Sequence, residues 1–249
     1  MGGALPGRGD GTRRLDLRYS QRPAASHHRP YFPFVEKHAF RGGSGDGLTL
    51  LDIGCANGAF LDYLASRRPT ARCSGLDALP ELVAYARRQV PAASFSVGDI
   101  TDGASLPTGK FSVVTMLTLH SHFDSLDPWL ENLLGLIADG GRAVLFGPFN
   151  PQPVDVLVRL RAAEGEPSEW TCGWNVHSRH SFAARLRATG RRFAFHDYVP
   201  PDDRHARAES GSGDVSDPLA TRPAVLDGRP VLMNGSGLTL PFALLEIFP

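Results

Sequence analysis

The chain has 249 residues, 42% of them apolar, and its 26 basic side chains balance 26 acidic ones. That is enough for a substantial core, but the chain has no net field with which to gather nucleic acid or anionic lipid. No stretch approaches the ~20 uninterrupted apolar residues of a membrane span, and the Gly- and Arg-rich start lacks the apolar segment of a secretory leader. Cys55, Cys73 and Cys172 are scattered and odd in number, which points to reducing, cytoplasmic surroundings.

Residues 1–46 read as a basic, partly disordered arm or lid. Arg8, Arg13, Arg14, Arg18, Arg22 and Arg29 face only Asp10 and Asp16 in its first part. One aromatic island, "RPYFPFVEKHAF", interrupts it, with Tyr31 as a candidate wall of a binding site. From residue 47 strands and helices alternate. "LTLLDIG" predicts a buried strand, and "AFLDYLASRR" a helix with Phe60, Leu61 and Leu64 on one face, stopped by Pro69. "ARCSGLD" predicts a second strand, and Pro80 opens the helix "ELVAYARRQ". "SFSVGD" and "KFSVVTML" predict the third and fourth strands. Asp127 and Pro128 suit the N-cap and first position of a helix "WLENLLGLIA", ended by Gly140 and Gly141. "RAVLFGPF" predicts the fifth strand.

After residue 150 the rhythm changes. A variable segment, 150–178, is expected to start with a helix "PVDVLVRLRAA" and a loop "EGEPSEWTCGWN". Ser178 then caps a helix "SFAARLRATG" before a sixth strand, "RFAFHDYV". An insertion at 200–236 carries Asp227-Gly228, a strong hairpin signal, and "LTLPFALLEIF" makes the last strand. Such alternation predicts an α/β fold, a doubly wound and mostly parallel Rossmann-like sheet, with residues 47–249 as one domain.

The chemistry gathers at "LLDIGCANGAF", residues 50–60, where a buried strand runs into Gly54, Ala56 and Gly58 and then a helix. A P-loop is excluded, because the only lysines are Lys37 and Lys110. A dinucleotide turn wants glycine where Ala56 stands, and neither lysine has the tyrosine four residues earlier that a short-chain dehydrogenase needs. The stretch resembles the first motif of class I S-adenosylmethionine-dependent methyltransferases, in particular a bacterial branch acting on small molecules. The resemblance covers roughly residues 48–149 and implies a seven-stranded sheet with an antiparallel last strand beside the sixth. It also implies S-adenosylmethionine as cofactor. Asp52 would attract its ammonium through water while Gly54, Ala56 and Gly58 bring backbone close. Asp77, with Ala78 beside it, would take the ribose hydroxyls. Asp99 would take the adenine amino group, with Ile100 flanking the ring and Leu117 completing the lining. Three acids closing successive strands at one sheet edge fit the place where open α/β sheets bind ligands.

The methyl acceptor is expected to be a small molecule, most simply an oxygen of a hydroxyl or carboxylate. "MLTLHSHF" follows the fourth strand in place of the Asp/Asn-Pro-Pro-aromatic motif of adenine methyltransferases, and it lacks the aspartate of metal-dependent catechol-type enzymes. His120 is the candidate general base, and Tyr31, Asn150, Trp174, Asn175 and His177 are candidates for the acceptor pocket. Cys172, His177 and His180 have only loose metal-ligand spacing, so no metal is expected. Neither nucleic acid nor membrane is an expected partner. Two rivals remain: an NAD(P)-dependent reductase on a similar sheet, and a non-catalytic S-adenosylmethionine-binding module.

Overall fold

The computed structural model describes residues 23–43, 45–161, 163, 170–200, 221–234 and 237–249. Among the described residues a 3-10 helix, Ala24–His27, precedes α1 (Phe32–Phe40), which is followed by β1 (Thr49–Ile53), α2 (Ala59–Arg67), β2 (Arg72–Asp77), α3 (Pro80–Gln89), β3 (Ser94–Val97) and β4 (Phe111–Leu117). Then come α4 (Trp129–Gly135), β5 (Ile137–Pro148), β6 (Arg159–Leu160), β7 (Thr171–Cys172), α5 (Arg179–Ala188) and β8 (Arg192–Asp197). The chain closes with β9 (Thr221–Leu226), β10 (Arg229–Asn234), β11 (Thr239–Leu240) and β12 (Phe242–Phe248).

Seven strands form one sheet in the order β3-β2-β1-β4-β5-β12-β8. The first five run parallel; β12 is antiparallel and lies between β5 and β8, beside the sixth predicted strand as expected. Two apolar clusters cover the two faces. Leu50, Val113, Phe146 and Leu244 cluster with Val35 of α1 and Leu64 of α2, while Leu51, Ile53, Met116 and Leu245 cluster with Trp129 of α4 and Phe182 of α5. Adjacent residues of one strand thus bury on opposite faces, which is why Leu50-Leu51, Val113-Val114 and Ala143–Phe146 are apolar without alternation. No helix of the described residues is long and apolar enough to cross a membrane.

Four elements differ from expectation. Within the predicted arm, whose first 22 residues lie outside the described residues, the helix α1 lies on the sheet with Phe32, Val35 and Ala39 buried. The buried Glu36 of α1 receives Tyr63 Oη, Arg67 Nε and Arg68 Nε, each at 2.8 Å, which ties it to α2 and the residue beyond. Second, "PVDVLVRLRAA" is not a helix. Val156 bridges Val176, and β6 pairs with β7. The β-branched residues at 154, 156 and 158 alternate, and period two prevailed over the helical spacing. Third, Gly140 and Gly141 do not end a helix. α4 stops at Gly135, and the pair lies inside β5 at a register shift opposite Phe111 and Val113. Gly140 has φ +72°, and a Cβ on Gly141 would meet Ser112 O at 2.9 Å. Asp127, expected as the cap, instead binds Arg185. Fourth, the last strand is broken at Pro241: β11 joins β10 and β9 in a small sheet, and β12 joins the large one. Within that small sheet Asp227 (φ +49°) and Gly228 (φ +74°) make the predicted hairpin turn, and Ser178 Oγ accepts from Ser181 N as the predicted cap of α5.

Candidate cofactor and acceptor site

β1 is central, between β2 and β4, so the turn that follows it sits mid-edge, flanked by the ends of both neighbours. Gly54 has φ +73° and Gly58 φ +81°. A Cβ on Gly54 would approach Leu119 Cδ2 to 2.8 Å, and one on Gly58 would reach the Phe95 ring at 3.0 Å. Both positions therefore exclude a side chain by backbone angle and by space. Ala56 (φ +49°) takes the same left-handed region with a Cβ, at about 1–2 kcal/mol. Its N–H donates to Asp77 Oδ2 at 2.9 Å, and Leu79 N donates to Oδ1 at 3.0 Å. One carboxylate thus holds the turn after β1 and the turn after β2.

A narrow cleft opens at this edge, lined by Gly54, Asp77, Ala78, Asp99 and Ile100, together with Ile53, Gly98 and Leu119. Five of the nine expected cofactor residues are brought together there. Asp99 Oδ1 accepts from both N and Oγ1 of Thr101 at 2.8 Å, so its carboxylate is fixed by its own turn. Leu117 does not line the cleft; it packs among the cluster containing Phe146. Leu119 lines it instead, because Thr118 (φ +65°) turns the chain into the short 3-10 helix Leu119–His122. Only that turn could have signalled it, and a left-handed threonine is not readable from sequence.

Asp52 is buried at the end of β1 and accepts from Thr115 Oγ1 at 2.7 Å. Burial pushes its pKa up to about 7, with the Thr115 bond opposing and the Asp77 charge adding to the rise. An unfolded aspartate ionises near ~4, so between there and about 7 the folded chain holds one proton more. Stability from this group is present below pH ~4 and falls as pH rises through that window, up to tenfold in the unfolding equilibrium per unit. Melting curves of Asp52→Asn, with Thr115 still able to donate, are expected to lose that fall. A wild-type slope unchanged by the substitution would contradict the raised pKa.

His120 is not placed as a base. It is fully buried, stacked on Phe149 with ring centroids 4.5 Å apart, and Nε2 lies 3.3 Å from Pro148 O. Nδ1 is buried with no hydrogen-bond partner among the described residues. Desolvation drops its pKa to about 3, so at neutral pH it is an uncharged core side chain. The acceptor candidates divide in the same way. Asn175 is fully buried: Oδ1 accepts from Val158 N (2.9 Å), and Nδ2 donates to Phe123 O (2.9 Å) and Asp124 Oδ1 (3.0 Å). Asn150 serves its own loop through Gln152 N and Val154 O, and His177 Nε2 sits 2.8 Å from Phe123 O. Asn175 and His177 thus fasten the variable segment to the loop after β4, while Asn150 shapes the start of the segment. Tyr31 and Trp174, both half-buried, remain at a connected aromatic wall: Tyr31 stacks on Phe146 (4.3 Å), Phe146 meets Phe242 (5.4 Å), and Phe242 meets Trp174 (5.5 Å). His122, two residues beyond His120, lies 6.5 Å from the Trp174 ring and is only partly buried.

A family model described as a methyltransferase domain matches residues 25–192. The chain belongs to the class I S-adenosylmethionine-dependent methyltransferases. A trans-aconitate 2-methyltransferase of Variovorax paradoxus is 30% identical over 121 residues, 48% of this chain and 46% of that protein. A demethylmenaquinone methyltransferase of Thermus thermophilus is 32% identical over 107 residues, 42% of this chain and 48% of its own. The chain thus spans about half the length of the curated relatives it matches. An S-adenosylmethionine-dependent methyltransferase structure from Mesorhizobium loti shares the fold with a TM-score of 0.59 at 15% identity, covering 90% of this chain and 100% of that one. Membership makes S-adenosylmethionine the cofactor, and the residues fit it. The methyltransferase turn leaves no Cβ at Gly54 or Gly58, and acids stand at the ends of β1 and β2 and just beyond β3.

Proposed function

We propose that the protein transfers a methyl group from S-adenosylmethionine to an oxygen of a small-molecule carboxylate. The observation that carries the reading is the convergence of Asp52, Asp77 and Asp99 on one sheet edge around the Gly54 turn. In this reading Asp77 holds the ribose hydroxyls and Asp99 the adenine amino group, with Ile100 and Leu119 against the nucleoside. Asp52, once ionised, attracts the ammonium. Bound there, the cofactor supplies an electrophilic methyl on a sulfonium. The ring faces of Tyr31 and Trp174 suit a cation and keep water out, and the residues around them align the acceptor.

A carboxylate needs no base, which agrees with the burial of His120, and the relative in Variovorax is named for a carboxylic acid acceptor. Cys55, Cys73 and Cys172 are thiols rather than disulfides, in keeping with a cytoplasmic setting. A hydroxyl acceptor with His122 as base is the second reading, favoured by the place of that ring beside Trp174. Incubation with methyl-labelled cofactor and parallel panels of organic acids and phenols separates the two. Label in an alkali-labile ester, formed at a rate that is flat from pH 6 to 8 when S-adenosylmethionine is saturating, is expected. Label in an alkali-stable ether, with a rate rising through the histidine range near ~6.5, would favour His122. Absence of cofactor binding by calorimetry would sink both.

A further inference from the structure

Away from the cofactor edge, three side chains from three elements meet beneath α1. His38 comes from α1, His196 from β8 and Glu246 from β12. Glu246 lies four residues along β12 from Phe242, which pairs with Pro148 at the cofactor edge, so the cluster stands roughly 13 Å away along the strand. We infer that His38, His196 and Glu246 bind a divalent transition-metal ion, which staples α1 to the outer strands of the sheet. The inference is independent of the acceptor and of methyl transfer.

The distances suit such an ion. His38 Nδ1 is 3.4 Å and His196 Nε2 is 3.2 Å from Glu246 Oε2, and the three ligand atoms all lie within 4.8 Å of one another. Tetrahedral zinc, with bonds of ~2.0–2.2 Å, sets neighbouring ligand atoms about 3.3 Å apart. His196 Nε2 is buried and has no hydrogen-bond partner among the described residues, although Oε2 is within reach, while His38 Nδ1 hydrogen-bonds that same oxygen. A metal ion would take the lone pair that His196 leaves unused. The two imidazoles lie with ring centroids 4.2 Å apart.

The surroundings select the ion. Arg41 Nε and Nη2 both reach Glu246 Oε1 at 3.0 Å, fixing the carboxylate as outer partners of metal ligands do. Arg142 also interacts with Glu246, and Lys37 lies near His38. With the carboxylate charge already offset, Mg²⁺ and Ca²⁺ gain little, whereas imidazole nitrogens favour Zn²⁺, Co²⁺, Ni²⁺ and Cu²⁺. The ion would steady Tyr31 at the start of α1 and Phe34 within it, whose ring meets Tyr198 at 5.4 Å.

The experiment uses the full chain without a histidine tag, treated with chelator and then titrated with Co²⁺ and Zn²⁺. One equivalent of Co²⁺ with the intense visible bands of a tetrahedral centre is expected, displaced by Zn²⁺, together with a melting temperature that rises with Zn²⁺ and not with Mg²⁺. His38→Gln and His196→Gln should each weaken binding at least tenfold while S-adenosylmethionine affinity, measured on the same samples, stays within twofold and shows the variants folded. His122→Gln should bind Co²⁺ like the parent. Absence of stoichiometric Co²⁺ binding, or binding of full strength in both glutamine variants, would overturn the inference.

Discussion

Asp77→Ala is expected to lower affinity for S-adenosylmethionine by at least tenfold and to destabilise the cofactor-free protein as well. The carboxylate would give up two hydrogen bonds to ribose hydroxyls, each charge-assisted and worth roughly 1.5–3 kcal/mol. It also accepts from Ala56 N and Leu79 N, so alanine leaves both backbone donors at the mouth of the cleft without their partner. Ala56 is held in the left-handed region by that bond, among others, and its turn should relax when the bond is lost. The expectation is therefore a loss in two measurements: calorimetric affinity, and a melting point several degrees lower. Asp77→Asn, which keeps one carbonyl acceptor, should fall between wild type and alanine in both. An alanine variant that melts lower but binds cofactor normally would separate the scaffold role from the ribose role and move the ribose elsewhere.

His120→Ala is expected to hurt the fold rather than the chemistry. Removing a fully buried ring stacked on Phe149 leaves a cavity worth ~3 kcal/mol, the lower end for ring-to-alanine changes. Loss of the unpartnered Nδ1 returns roughly 1 kcal/mol of that. A net loss of about 2 kcal/mol corresponds to a melting temperature some 4–8 °C lower in a chain of this size. Because burial depresses the His120 pKa to about 3, the folded chain binds one proton fewer than the unfolded chain between there and ~6.5. Stability from this group is present above pH ~6.5 and is lost as pH falls toward 3. The alanine variant should lack that part of the acid sensitivity. Turnover per folded molecule should stay within a few-fold of wild type with an unchanged pH profile. A loss of 10²-fold or more in a folded variant would restore His120 as the base.

The sheet and the cofactor edge were legible because each depends on short-range pattern. Short strand-like segments closed by Asp52, Asp77 and Asp99 and separated by helical patterns specify parallel strands with acids at one end, and a glycine at 54 and 58 specifies backbone angles that L side chains avoid. The missing lysine decided against a phosphate loop without any structure. Those features are local, so one chain of letters carries them.

What the letters left open depends on which of several compatible partners a residue meets after the chain has closed on itself. Nothing in "TLHSHF" says that His120 turns into the core while Leu119 turns into the cleft; the left-handed Thr118 decides it. Nothing in "GWNVHS" says that Asn175 and His177 satisfy the loop after β4, because a buried amide must find whichever backbone groups the fold leaves unpaired. His38, His196 and Glu246 are separated by up to 208 residues and share no spacing a motif could register. The sequence determined the strand-end chemistry by itself, since backbone angle and burial pattern act within a few residues. The tertiary structure alone decided which polar side chains line the cleft and which turn into the protein, since long-range packing sets the surroundings of each buried polar group.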